Sequence, residues 1–281
     1  MRFFKQFHPR HFFEALVTID SESEQQRKQL SETSASKRIM VIFFVTALCL
    51  LLVNYLKYSS VYFGILAWLG ESFWGGPRDL LLLLKQSDFY RLYGHAWWGF
   101  VHLLGYALIP MMVVKWGFKQ SIGDYGWQFG AVREHLKWYV FLAGLILIFL
   151  TFASFRPDFQ THYPFYHYAF RSWVDFLGWE LIYIIQFISL EFFFRGFIVN
   201  GLRPYFGSSA VYIMCLPYLM IHFPKPWLEA SGAIFFGLFL GMLALRSRSI
   251  WGGVGVHVTI AVSMDVAALL QTKGLPDRWW P

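Results

Sequence analysis

The stretch IMVIFFVTALCLLLVNY, Ile39 to Tyr55, is almost unbroken apolar sequence, and comparable runs recur to the end of the chain. About 20 mainly apolar residues carry a helix across a bilayer. Lipid offers no hydrogen-bond partner to a backbone, so such a run must satisfy its own N–H and C=O groups, which a helix does. Further runs lie near Gly94–Val114, Leu136–Phe155, Trp173–Val199, Ala210–Phe223, Leu228–Leu245 and Trp251–Leu270. Between Val61 and Leu84 two shorter runs are broken by GGPRD, and that segment reads as interfacial or re-entrant. The composition agrees: 57% of the 281 residues are hydrophobic and only 15% charged, against about 25% charged in soluble domains. The expected fold is all-α, a polytopic membrane bundle of about seven transmembrane helices.

Residues 1–38 read as a polar or interfacial segment, with FFKQFHPRHFFEAL suited to the membrane surface and Asp20 to Arg38 to a flexible or surface stretch. Residues 39–120 read as N-terminal transmembrane helices. The N-terminal stretch lacks the short apolar core and small-residue cleavage site of a secretory signal, so it is expected to remain on the mature protein. The formal charge of +7 sits beside apolar runs rather than in one solvated patch. It therefore argues for membrane-surface anchoring and against a nucleic-acid partner. With the N-terminus inside, the loop holding Lys115, Lys119 and Arg133 and the RSRS turn at Arg246–Ser249 also fall inside. Cys49 and Cys215 lie in apolar runs and offer neither a disulfide framework nor a metal motif.

Against this background the ionisable residues of the C-terminal half stand out: Glu180, Glu191, Arg195, His222 and His257. A charge at bilayer depth costs about 2.5–3.5 kcal/mol on insertion scales, which makes each one a functional candidate. In SLEFFFRGF, Glu191 and Arg195 are four residues apart, about 40° around a helix, and can form a neutralised pair. Two other helices bring a histidine each, in YLMIHFPKP and GGVGVHVTIAVSMD. A carboxylate in a partly dry site can take a proton from water, while an imidazole orients that water or donates to an oxyanion. Hydrolysis inside the membrane is the chemistry those parts suit. Gly232, Gly237 and Gly241 on one helix and Gly252, Gly253 and Gly255 on the next permit close helix approach. Glu180 lies about 16 Å along the helix from Glu191, too far to share one water, and Asp265 is two turns beyond His257. His95 and His102 read as helix-to-helix hydrogen bonders, and Lys225 as a snorkelling interface residue.

The residues resemble the CPBP intramembrane proteases, a family that includes type II CAAX prenyl endopeptidases and bacteriocin-maturation or self-immunity proteins. The family pattern is EExxxR, then FxxxH, then HxxxN or a similar polar pair. Here LEFFFRG spans Leu190–Gly196, YLMIH spans Tyr218–His222 and HVTIA spans His257–Ala261. SIGDYGWQF, Ser121–Phe129, is similar to a loop that often precedes the family domain, which places the domain at residues 121–275. Three positions depart: Leu190 for the first glutamate, Tyr218 for phenylalanine and Ala261 for the final polar residue.

The resemblance implies an intramembrane endopeptidase without a required metal, acting on a peptide or protein substrate. Glu191 would be the base, Arg195 its orienting partner, His222 an aid to water activation and His257 the oxyanion stabiliser. A zinc ion on Glu191, His222 and His257 is the alternative, but it leaves no second carboxylate as base. Leu190 and Ala261 favour a different class, a catalytically weak or inactive protein of the same fold that acts as a binding or immunity partner. A transporter would need ionisable groups along a whole path, whereas these are confined to the C-terminal helices. A multi-pass protein, expected in a bacterial cell membrane, fits either reading.

Overall fold

Every long apolar run becomes a helix, and among the described residues no strand forms. The computed structural model describes residues 9–29 and 31–281, with side chains left undescribed at 9–13 and 15. The helices are α1 (Pro9–Lys28), α2 (Glu32–Leu56), α3 (Ser59–Phe73), α4 (Asp79–Lys85), α5 (Tyr90–Gly117), α6 (Val132–Ala153), α7 (Pro157–His162), α8 (Trp173–Phe206), α9 (Ser209–Met220), α10 (Trp227–Ser247) and α11 (Trp251–Gln271).

Six of them, α2, α5, α6, α8, α10 and α11, are long and apolar enough to cross a bilayer. The run expected at Ala210–Phe223 becomes the 12-residue α9, apolar but shorter than those six. The chain is thus a multi-pass helical membrane protein. Large side chains on the outer faces, among them Phe44, Phe149, Phe152 and Phe235, remain exposed, as suits a surface in contact with lipid rather than water. Burial varies sharply between helices. In α8, 72% of the most apolar stretch is buried, against 17% in α6, so α8 is an interior helix and α6 a peripheral one.

Val61–Leu84 forms the two short helices α3 and α4 separated at GGPRD, as the break predicts. The stretch from Asp20 to Arg38, read as flexible or surface, is mostly exposed but largely helical, because α1 runs to Lys28 and α2 already begins at Glu32. Tertiary partners explain the order in α1. Asp20 accepts from the Ser208 amide through Oδ1 at 2.6 Å and from the Ser208 hydroxyl through Oδ2 at 3.0 Å. Glu22 Oε2 accepts from Arg203 Nη2 at 2.6 Å and from Arg248 Nη2 at 3.1 Å. Apart from Glu14 and Leu16, the side chains of FFKQFHPRHFFEAL, read as interfacial, lie outside the described residues.

The chain divides into two compact units. The first comprises Met1–Leu48, Ile109–Tyr139 and Glu191–Val254, the second Cys49–Leu108, Val140–Leu190 and Gly255–Pro281. In the first, α9 packs on α10 along a glycine rail. A Cβ at Gly237 would stand 2.8 Å from the Tyr218 ring, and one at Gly241 would stand 2.6 Å from Val211 Cγ1. Those glycines let the aromatic ring and the branched side chain of α9 sit against the α10 backbone.

In the second unit, the start of α8 is fixed by a polar knot. Ser172 precedes the helix, and its hydroxyl accepts from the Asp175 amide at 3.1 Å, in the manner of an N-cap satisfying an orphan donor. The Asp175 carboxylate accepts from Tyr166 Oη at 2.6 Å, Ser172 Oγ at 2.8 Å and Arg171 Nε at 2.9 Å. Burial first, and then the bond to Asp175, push the Tyr166 phenol up. The histidine expectations divide. The His95 ring reaches the Phe165 carbonyl at 3.3 Å, a contact outside its own helix, whereas His102 Nδ1 donates at 2.8 Å to the Trp98 carbonyl of its own helix.

Asp175→Ala removes the anion from a buried, multiply bonded pair. It is expected to destabilise the protein by about 3 kcal/mol, read as a lowered thermal midpoint in detergent. Arg171→Gln removes the partner whose side chain is 22% exposed and should cost clearly less.

Candidate active site

The motif glutamate sits at a change of helical register. α8 is α-helical from Trp173 to Glu191 and then becomes a nine-residue π-helix, Phe192–Asn200, before its last α-helical turn. A π-segment inserts extra backbone per turn and is frequent at functional sites. The switch turns the run FFFRGF into a fully buried surface, with Phe192, Phe193, Phe194 and Phe197 all inaccessible. No local sequence signal marks this switch. Shorter π-segments also interrupt α5 at Leu104–Leu108 and Val113–Gly117.

Glu191 and Arg195 are both 0% exposed, and Arg195 Nη1 lies 3.1 Å from Glu191 Oε1. The pair expected from the four-residue spacing therefore forms. The guanidinium also lies over the Tyr218 ring, 4.3 Å from its centroid, a cation–π contact that gains strength where water is excluded. The motif tyrosine thus supplies the flat face that a phenylalanine would also offer. Its ring in turn lies 4.6 Å from the His222 ring and 5.2 Å, edge-on, from Phe194.

His222 is half-buried at the end of α9, and its Nδ1 lies 2.7 Å from the Tyr218 carbonyl. A carbonyl only accepts, so Nδ1 carries the proton, and in the neutral ring Nε2 carries the lone pair. Glu191, Arg195, Tyr218 and His222 form a continuous series of contacts within the first unit. Just beyond His222, Lys225 pairs with Glu229 at 3.4 Å.

Gly253, in the first turn of α11, closes the site from another side. A Cβ at that position would overlap the Glu191 carboxylate, on the Oε2 side. Only a residue without a side chain lets backbone and carboxylate meet in this way. The neighbouring Gly252 is filled likewise by the Tyr139 ring, whose hydroxyl is 3.1 Å from Ser247 Oγ.

The fourth candidate, His257, lies in the second unit. It is half-buried, and its ring stacks on Phe187 at 5.3 Å and 14°. Ala261, one turn on, is buried in an aromatic cluster with Tyr166, Phe176, Trp179 and Tyr183. The departure from a polar residue there is matched by an apolar environment. Leu190 is buried as well, at 5% exposure. Glu180 and Asp265 are both buried in the second unit, and Asp265 Oδ2 accepts from Trp179 Nε1 at 2.6 Å. Trp179 is a partner that residue spacing alone did not identify.

Among the described residues no three His, Cys, Asp or Glu side chains gather as a metal would require, and an arginine already sits against the Glu191 carboxylate.

Gly253→Ala should destabilise the protein by about 1–3 kcal/mol through overpacking against Glu191. Gly255→Ala is the internal control, because its Cβ would meet nothing within 4 Å; it should be neutral or stabilising by up to about 1 kcal/mol. Thermal midpoints of the two purified variants test the difference.

Residues 172–263 match the family model described as type II CAAX prenyl endopeptidase, Rce1-like. Comparisons with curated proteins and with solved structures gave no match. The matched segment begins at the serine that caps α8 and contains Glu191, Arg195, His222 and His257. That match, over about a third of the chain, supports membership of the CPBP family of intramembrane proteases.

Proposed function

We propose that the protein is an intramembrane endopeptidase of a bacterial cell membrane, hydrolysing a peptide bond in a membrane-associated peptide or protein without a metal or a nucleic-acid partner. The observation that carries this reading is the family match over the segment that holds a fully buried carboxylate, Glu191, fixed by Arg195.

In the proposed reaction Glu191 takes a proton from water and the resulting hydroxide attacks the scissile carbonyl carbon. The C–N bond then breaks, and the proton passes to the departing amine. Arg195 holds one carboxylate oxygen and balances its charge. His222, with its proton on Nδ1, presents Nε2 as an acceptor that can orient the water. The role of oxyanion donor falls to His257 by motif order alone.

A second reading has its own support. Leu190 and Ala261, where the family carries polar residues, are both buried, Ala261 within an aromatic cluster. On that reading the chain keeps the fold as a binding or immunity partner, and the Glu191–Arg195 pair is structural.

Full-length protein offered a proteome-derived peptide library, with prenylated peptides included, separates the two. On the protease reading the wild type cleaves, and Glu191→Gln stays folded but is slower by at least about 100-fold. His222→Ala also loses turnover, and chelator leaves the rate unchanged. A wild type that cleaves nothing where a related protease does, together with Glu191→Gln and Glu191→Ala that both fail to fold, would establish the structural reading.

A further inference from the structure

The first unit contains a polar cavity of about 260 Å³ walled in part by the last residues of α8, Asn200 to Tyr205. Its wall includes Arg38, Arg203, Arg248, Gln120, Gln128 and Asn200. Three guanidinium groups face one lining carboxylate, Asp124. A second carboxylate, Glu22, bridges Arg203 and Arg248 from the edge. Arg38 has no carboxylate partner among the described residues; its guanidinium lies 5.4 Å from the Phe118 ring centroid. Arg203 is 9% exposed and is held in the wall by Glu22. Asn200 donates from its amide to the Arg195 carbonyl at 3.0 Å, which anchors the wall to the motif backbone. The cavity therefore offers fixed N–H donors and an excess of positive charge.

The position of these residues along the chain fixes the depth of the cavity. Arg38 lies in the polar first turns of α2, Gln120 just beyond the end of α5, Arg203 in the last turn of α8 and Arg248 just beyond α10. Successive crossings bring all four ends to one face, the same face to which the positive-inside pattern assigns the basic loops. With those helix ends at the membrane surface, the cavity would open at the level of the lipid phosphates. Guanidinium and amide donors in a fixed arrangement suit a tetrahedral, multiply accepting anion.

We propose that this cavity binds a phosphate group, supplied by the headgroup of an anionic phospholipid. Arg38 and Arg248 contact the phosphate, the glutamine amides complete its shell, and Glu22 keeps Arg203 in place. The acyl chains remain outside, along the exposed apolar faces of the bundle.

The test uses the full chain in nanodiscs of phosphatidylcholine, alone or mixed with phosphatidylglycerol. Phosphatidylglycerol should raise the thermal midpoint of the wild type by a few degrees, as a ligand of the folded state does. Arg38→Gln should lose most of that increment. Arg133→Gln, an exposed basic change outside the cavity wall, should keep it. Native mass spectrometry should show phosphatidylglycerol retained by the wild type and released from Arg38→Gln. If Arg38→Gln does not fold, Arg248→Gln, whose side chain is 57% exposed, replaces it. Inorganic phosphate added to phosphatidylcholine discs should not reproduce the increment, and full reproduction would overturn the lipid as source. The site itself is overturned if phosphatidylglycerol has no effect, if both cavity variants keep the full increment, or if Arg133→Gln loses as much as they do.

Discussion

Two opposite charges held out of water constrain everything around them. Glu191 and Arg195 are both fully buried, and their attraction must offset a desolvation cost of several kcal/mol per ion. That requires tight geometry, and the neighbouring elements supply it. Tyr218 gives the guanidinium a flat face, Gly253 admits the carboxylate against the α11 backbone, and the buried phenylalanines of the π-segment exclude solvent. A pair of apolar side chains of similar volume would be as stable or more so. Stability alone therefore does not account for the presence of an ion pair on the most buried helix of the bundle.

The parts legible in the sequence were those set by lipid. A run of about 20 apolar residues has few alternatives to a helix, so α2, α5, α6, α8, α10 and α11 could be located from composition and length. The Glu191–Arg195 contact was also legible, since a four-residue spacing places two side chains on one helical face. What stayed hidden depends on distant partners or on backbone register. Asp20 and Glu22 looked like solvated residues because their partners, Ser208, Arg203 and Arg248, lie more than 180 positions later in the chain. The π-helix carries no residue signature, and it decides where Phe192 to Asn200 point.

Carboxylates in this protein do three different jobs, separable by surroundings rather than by residue type. Asp175, at the first turn of α8, is saturated by a tyrosine, a serine and an arginine and fixes a helix start. Asp20 and Glu22 tie an amphipathic N-terminal helix to later segments of its own unit. Glu191 differs from both: its carboxylate lies against Arg195 of its own helix and the backbone at Gly253.

That difference bears on the missing first glutamate of the motif. Leu190 is buried at 5% exposure, and a carboxylate at its position would need a compensating group or water. The leucine instead fills the position with apolar surface. Ala261 does the same in the second unit, where Trp179 and Tyr183 pack against it. The two departures are thus accommodated by packing rather than left as holes. On the proposed reading such a site has one carboxylate to activate water, and that carboxylate is shared with an arginine through Oε1. Whether water reaches the Oε2 side, next to Gly253, then decides between a working base and a structural ion pair. On the proposed reading His222, half-buried in the same unit with its Nδ1 proton committed to the Tyr218 carbonyl, would bring that water in.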